Sequence, residues 1–273
     1  MQTKKHLIET KLIPYFGNLK LGDIKPTTIR NWQNTLIGQN YSETYLKTIN
    51  NQLSAIMNYA VKYYGLKENP CHKAGSMGKK SAREMQFWTK DEFNIFIKFI
   101  ADKPQSFMAF QVLYWCGLRV GELLALTRAD IDTENKTLSV SKSYQRIGAQ
   151  DIITEPKTPK SNRIIALPNF LCDKLKEYMK SIYNTKPDAR LFQCTKYYLH
   201  HEMDRGCKLS GVKRIRIHDL RHSHASLLIE LGFSPLLIAE RLGHENIETT
   251  LNTYSHLYPH KQTELADKLD TLI

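Results

Sequence analysis

At 273 residues, with 41% hydrophobic and 24% charged side chains, the chain has the make-up of a globular protein, and its length predicts one large domain with a smaller companion. A net charge of +12 favours a polyanionic partner, nucleic acid or an acidic membrane surface, while the absence of repeats and biased tracts excludes solenoid and low-complexity architectures. The opening MQTKKHLIET lacks the apolar core of a signal peptide, and the apolar run SLLIELGFSPLLIAERL is interrupted by Glu230, Glu240 and Arg241, so no membrane partner is expected.

The basic excess is uneven. Residues 1–85 hold 13 Lys and Arg against five Asp and Glu, and the remainder holds 26 against 22. Five cysteines, Cys71, Cys116, Cys172, Cys194 and Cys207, are scattered without a CxxC pair. That pattern suggests neither a disulfide framework nor a zinc knuckle, and it fits reduced thiols in a cytoplasm.

In chain order, residues 2–71 read as helix throughout, with Thr27 ahead of one segment and Ser42 placed to cap a long helix ending near Gly65. In that helix Leu46, Ile49, Leu53, Ile56, Met57 and Ala60 recur at helical spacing and predict its buried stripe. The stretch HKAGSMGKKSAREMQ has no apolar period and reads as a connection. The division is therefore a helical domain over 1–72, a linker over 73–86 and a larger domain over 87–273.

The larger domain opens on a capping-box pattern, Thr89 to Glu92, ahead of FNIFIKFI. A second apolar helix, FMAFQVLYWC, ends at Gly117, and a further helix follows with Arg119 and Glu122. The runs TLSVS, DIITE and RIIAL, parted by turns with Gly148, Pro156 and Pro159, predict a small antiparallel sheet. From Pro168 the pattern is helical again, with Ser234 and Pro235 as a start signal and Gly232 and Gly243 as stops. The fold class is mainly α with a small antiparallel β-sheet, α+β.

Chemistry concentrates in IHDLRHSHASLLIELGFSPLLIAERLGHENIETTLNTYSH, which carries His218, Arg221, His244 and Tyr254. His218 and Arg221 are three apart and share a helix face, and Arg119 and Glu122 repeat that spacing, which lets the carboxylate brace the guanidinium. Two arginines suit a phosphodiester, because their forks match the non-bridging oxygens and neutralise charge developing at phosphorus. A phenol with an ordinary pKa of about 10 needs a proton acceptor or surrounding cations before it attacks anything at neutral pH. Singly, each residue has an ordinary structural explanation, and only the combination argues for chemistry.

Other chemistries are weaker. Asp130 and Asp132 could serve a two-metal nuclease, but no third carboxylate accompanies them. His218, His222 and His224 do not share one helical face, as a zinc site would require. Loss of DNA cleavage on chelation would favour either reading.

Four segments, GLRVGELLAL, TEPKTPKSNRIIALP, IHDLRHSHAS and LGHENIETTLNTYSH, together give the chain a resemblance to tyrosine recombinases of the phage-integrase family, in particular integrases of conjugative transposons. The resemblance extends over nearly the whole chain and implies a helical core-binding domain joined to a catalytic domain, the two closing on duplex DNA. It further implies that Tyr254 is the nucleophile, that Arg119, Lys157, His218, Arg221 and His244 activate the phosphate, and that Glu122 supports them. Lys157 would be the general acid for the leaving oxygen, with Lys160 as the alternative; Lys160 and Arg163 would otherwise contact DNA phosphates. Ser42, Thr44, Lys47 and Asn51, with Ser54, form a candidate groove-facing side of the long helix, although a solvated face has the same composition.

The implied activity is site-specific cleavage and rejoining of DNA through a 3′-phosphotyrosine link, integrating or excising a mobile element. Because bond energy is retained, no ATP, metal or other cofactor is required. The implied partners are double-stranded attachment and crossover sites, three further copies of the chain in a tetramer on DNA, and an excision factor, at the bacterial nucleoid. The final residues Leu265, Leu269 and Ile273 predict an amphipathic tail helix that in the family packs into a neighbouring subunit. An arm-binding domain is expected to be absent, since the chain begins at the core-binding helix. A DNA-binding regulator without chemistry and a type IB topoisomerase are the alternatives; Tyr254, Arg119 and Arg221 argue against the first, and exchange between two duplexes separates the second.

Overall fold

Pro14 marks the first irregularity of the computed structural model, which describes residues 2–79, 85–156, 158–182, 188–257 and 270. Helix α1 (Gln2–Leu7) runs into a π-turn (Ile8–Leu12) and then α2 (Ile13–Phe16). The Ile13 N–H reaches back to the Ile8 carbonyl, one residue further than in an α-helix, directly ahead of a proline that has no N–H to give. The chain divides into two compact units, Met1–Glu84 and Met85–Ile273.

In the first unit, α3 (Pro26–Ile37) starts one residue before Thr27, because Pro26 occupies the opening position that proline prefers and Lys25 stands in the cap slot. The long helix α4 (Glu43–Tyr63) is capped by Ser42, whose Oγ accepts from the Tyr45 N–H. Leu46, Ile49, Leu53, Met57 and Ala60 are buried along it, and Ile56 is half-buried. A short α5 (Pro70–Ala74) follows, capped by Asn69. Gln33 donates to Asn50 Oδ1 and to the Gly75 carbonyl, both at 2.8 Å, and Met77 is buried in the same core. Residues 73–79, expected as connection, pack into this unit: Ala74 and Met77 are buried, the Gly75 carbonyl accepts from Gln33, and Ser76 Oγ accepts from Lys47 and Asn50.

In the second unit, α6 (Lys90–Lys98) carries the complete Thr89–Glu92 capping box. Helix α7 (Pro104–Cys116) is buried almost all round and forms the centre of the core with Trp88, Phe93, Phe96 and Phe192. The Trp88 N–H donates to Ser223 Oγ at 2.9 Å and its indole N–H to the Lys213 carbonyl at 2.8 Å. After α8 (Val120–Ala125) come five strands: β1 (Ile131–Asp132), β2 (Thr137–Val140), β3 (Ser143–Ile147), β4 (Gln150–Thr154) and β5 (Arg163–Ala166). They form an antiparallel sheet in the order β1-β2-β5 and a separate β3-β4 hairpin turning at Gly148. Strand β3, SYQRI, lacks the apolar alternation that makes a strand legible, and only Tyr144 of its side chains is buried.

Helices α9 (Asn169–Ser181), α10 (Lys196–Ser210), α11 (Asp219–Glu230), α12 (Pro235–Leu242) and α13 (Ile247–Tyr254) complete the unit. Ala225, Ile229, Ile238, Leu242 and Tyr254 make a small core of their own where α11, α12 and α13 meet. Among the described residues no helix is long and apolar enough to cross a membrane.

Gly117 caps α7 in the left-handed region, φ +65°, and a Cβ there would stand 2.6 Å from the His224 ring and 2.8 Å from Leu242. Gly148 has a similar φ of +64° with nothing within 4 Å. Gly117→Ala is expected to cost about 3 kcal/mol, the sum of left-handed strain and overpacking, and Gly148→Ala only about 1 kcal/mol. Urea unfolding followed by tryptophan fluorescence measures both; equal losses would show that the packing against His224 contributes nothing.

Candidate active site

Helix ends and one carboxylate organise the arginines. Arg119 stands immediately before α8, where its backbone N–H donates to Glu122 Oε2 at 2.9 Å and its Nη1 to Glu122 Oε1 at 2.8 Å. The first strand residue of β5, Arg163, brings a second guanidinium to the same carboxylate, Nη2 to Oε2 at 2.9 Å and Nη1 to Oε1 at 3.3 Å. Its Nε donates to the Arg241 carbonyl at 2.8 Å. Gly243, left-handed at φ +67°, lets Arg163 pass: a Cβ there would stand 3.1 Å from the guanidinium.

Arg221 comes from the first turn of α11 and is buried. Its Nη1 donates to the Gly117 carbonyl at 2.9 Å and its Nη2 to the Leu242 carbonyl at 2.6 Å. Those carbonyls belong to the C-terminal ends of α7 and α12, where unsatisfied C=O groups carry partial negative charge. Two helix ends thus hold the cation, and among the described residues no carboxylate forms a salt bridge with it.

The electrostatics follow from this count. Burial alone would raise the Glu122 pKa, but Arg163 and Arg119 outweigh it and hold the carboxyl below its usual range. Burial, with Arg119 nearby, pulls Arg221 down to about 9, still a cation at neutral pH. Two guanidinium groups therefore share one carboxylate while the third, Arg221, pairs with none among the described residues, and the site is short of negative charge. The Arg119 side chain is 39% exposed while those of Arg163 and Glu122 are each 6% exposed, so Arg119 is the member that faces outward.

The histidines are arranged around the same place. Thr250 is fully buried, and its hydroxyl lies 2.7 Å from His244 Nδ1. With no other acceptor for that hydroxyl among the described residues, it donates to Nδ1, which leaves the proton of the neutral ring on Nε2. Burial, with Arg221 and Arg119, pushes His244 down to about 3. Tyr254, 1% exposed at the end of α13, has its hydroxyl 2.7 Å from His222 Nδ1. Burial raises the phenol to about 12, with Arg221 opposing. His218 is exposed at the N-terminus of α11, its ring 5.2 Å from that of His222.

Several sequence expectations change on this geometry. Arg163 is not a surface phosphate contact: its guanidinium is consumed by Glu122 and by carbonyls. Lys160 is exposed and reaches the Glu245 carbonyl at 2.9 Å; Lys157 lies outside the described residues, as do Leu265, Leu269 and Ile273. On α4, Ser42, Thr44 and Asn51 are exposed, whereas Lys47 is half-buried and donates to Ser76 Oγ at 2.6 Å. Asp130 pairs with Lys142 at 2.7 Å and Asp132 accepts from the backbone of its own turn, so both carboxylates serve local structure. Among the described residues no three His, Cys, Asp or Glu side chains are grouped to hold a metal. His222, weighed from sequence only as a zinc ligand and discounted, enters the site beside Tyr254; its signal was the position one turn after His218 on the same helix.

Residues 86–261 match the model of the phage integrase family, and residues 1–37 that of the phage integrase N-terminal SAM-like domain. The ICEBs1 integrase of Bacillus subtilis is 34% identical over 286 aligned residues, spanning 100% of this chain and 77% of that protein. A XerC-like tyrosine recombinase of Caldanaerobacter subterraneus is 30% identical, spanning 93% and 73%. Among solved structures, the Tn1549 transposon integrase in complex with transposon right end DNA aligns with TM-score 0.80 at 20% identity, over 99% of this chain and 92% of that one. The XerH recombinase bound to palindromic difH substrate, a post-cleavage complex, aligns with TM-score 0.70 at 19% identity, over 98% and 79%. At such identities the likeness is one of fold.

Three histidines are held neutral here, His244 and His224 at about 3 and His222 at about 4, each chiefly by burial. His224 Nε2 accepts from Arg241 Nε at 3.0 Å, a bond only the neutral ring can make. Because the folded values lie below the unfolded value of 6.5, the unfolded chain takes up protons first. Stability is therefore complete above about pH 6.5 and falls as pH drops towards 4. Fully buried His224 contributes up to about 1.4 kcal/mol per pH unit, and the partly screened His222 and His244 less. Urea unfolding across that range measures the slope; a flat profile would contradict the neutral assignment.

Proposed function

Because this chain belongs to the phage integrase family of tyrosine-type site-specific recombinases, we propose that Tyr254 is the nucleophile with which it cuts and rejoins DNA, and that Arg119 and Arg221 clamp the scissile phosphate. The observation that carries this reading is the deficit of negative charge: a buried Arg221 that among the described residues is held by carbonyls alone, together with an outward-facing Arg119. A phosphodiester supplies the missing anion, and two guanidinium forks match its non-bridging oxygens. Glu122 aims Arg119, and Arg163 fixes Glu122 from the other side.

In the proposed step the Tyr254 oxygen attacks phosphorus as its proton is released to solvent, the bond from phosphorus to the 5′-oxygen breaks, and a 3′-phosphotyrosine remains. Lys157 supplies the proton to the departing 5′-oxygen, which becomes a hydroxyl. That hydroxyl, or one from a partner strand, attacks back and regenerates the phenol, so the energy of the broken bond is retained. His244, neutral and with its proton on Nε2, donates to a non-bridging oxygen, and exposed His218 does the same from the helix start.

The partner is double-stranded DNA at attachment and crossover sites, and exchange between two duplexes calls for four copies of the chain. Exposed Phe170, Leu231, Phe233, Leu236 and Ile247 line one apolar groove of the second unit. That groove supports a tetramer in which the tail bearing Leu265, Leu269 and Ile273 docks on a neighbour. An excision factor would bias the direction, and the setting is the cytoplasm, at the bacterial nucleoid.

A duplex nicked near the cut site traps the covalent adduct because the short 5′ strand diffuses away. Tyr254→Phe is expected to bind this DNA and form no adduct, and Arg119→Lys and Arg221→Lys to form it at least about 100-fold more slowly, since an ammonium cannot reproduce the two-pronged clamp. An adduct in Tyr254→Phe would reassign the nucleophile. A substrate with sulfur in place of the bridging 5′-oxygen separates the lysines, because a thiolate leaves without a proton. Lys157→Ala is expected to recover on it while Lys160→Ala gains nothing selectively; the reverse pattern would exchange their roles.

A further inference from the structure

His222 lies one helical turn beyond His218 on α11, and its Nδ1 is 2.7 Å from the Tyr254 hydroxyl. Among the described residues this is the only hydrogen bond that hydroxyl makes. The phenol is 1% exposed and its ring is packed among Ala225, Ile229, Ile238 and Leu242, with the imidazole edge-on to it, centroids 5.6 Å apart. A buried O–H with no second acceptor must donate to Nδ1, so the imidazole carries its own proton on Nε2.

We propose that His222 is a positioning residue for the nucleophile: by accepting the Tyr254 O–H at Nδ1, it fixes where the attacking oxygen stands when the scissile phosphate arrives. This rests on the reading of Tyr254 as nucleophile and adds a residue to it. The contact is a neutral one, since burial holds the imidazole at about 4 and the phenol at about 12. Its role is therefore aim, and the hydroxyl keeps its proton until a phosphate occupies the arginines. Van der Waals contact with the small core fixes the ring plane but not the tilt of the ring towards or away from the phosphate, and one directional bond to the oxygen removes that freedom.

The geometry makes a sharp demand on substitution. Asparagine carries an acceptor oxygen at the same remove from the backbone as Nδ1, glutamine carries it one carbon further out, and phenylalanine fills the space with no acceptor. Single-turnover adduct formation on the nicked duplex, at protein concentrations that saturate the DNA and with affinity measured separately, reads the effect. His222→Asn is expected to retain the rate within about threefold, and His222→Gln and His222→Phe to lose at least about tenfold, with DNA affinity unchanged in all three. The defect is expected to persist on the bridging-sulfur substrate, because it lies on the attacking and not the departing side.

Wild-type rates in all three variants would overturn the inference, as would an asparagine variant as slow as phenylalanine. If phenylalanine does not fold, the asparagine and glutamine pair still decides the matter. Tyr254→Phe is run alongside. An adduct there removes the nucleophile itself, whereas its absence together with a fully active His222→Phe removes only the role given to His222.

Discussion

Positive charge buried beyond what its counter-charge can balance is the constraint on which the second unit is built. Glu122 satisfies Arg119 and Arg163, and nothing anionic among the described residues is left for Arg221. The fold holds this third guanidinium with the carbonyl ends of α7 and α12, whose dipoles supply fractions of a charge rather than a whole one. An anion placed beside it, as proposed for the scissile phosphate, would make such an arrangement favourable. The same constraint bears on two of the left-handed glycines: Gly117 and Gly243 end their helices abruptly, which turns Arg221's carbonyl acceptors towards it and leaves room for Arg163.

Excess cationic charge also settles the state of the histidines. Each of His222, His224 and His244 is depressed first by burial and then by neighbouring arginines, so none adds to the repulsion. Neutral imidazoles have one donor and one acceptor nitrogen, and the structure commits one nitrogen of each: to Tyr254, to Arg241 and to Thr250. A protonated ring at any of these places would lose its acceptor and repel a guanidinium. Hydrogen-bond direction follows from the same count: each buried hydroxyl has one acceptor among the described residues, and a neutral ring can be it.

Much of this was legible along the chain, for a physical reason. Helix starts such as Ser42 and Thr89 announce themselves because a cap and its partner lie three residues apart, and Arg119 with Glu122, or His218 with Arg221, meet by the same local rule. Residues whose partners are distant were harder to place. Arg163 sits in a lysine-rich turn and reads as a surface charge, yet its carboxylate is 41 residues away. His222 looks like any helix histidine, and the hydroxyl it holds is 32 residues further on. Strand β3 was missed because its outward faces are polar, and Thr27 was preferred over Pro26 because a hydroxyl is the commoner start signal. For Arg163 and His222 a long-range contact decided the outcome; for Pro26 and β3 the cue was local but weak.

Helix α13 carries two parts of the apparatus on a single rod. Thr250, which orients His244, and Tyr254 are four residues apart, one turn along the same side. A rigid body of eight residues cannot present one and withhold the other. If His244 and Tyr254 act as proposed, any shift of this helix would move the imidazole's partner and the phenol together. On that reading one helix would deliver both groups to the phosphate as a unit, and a strand break would call for both at once.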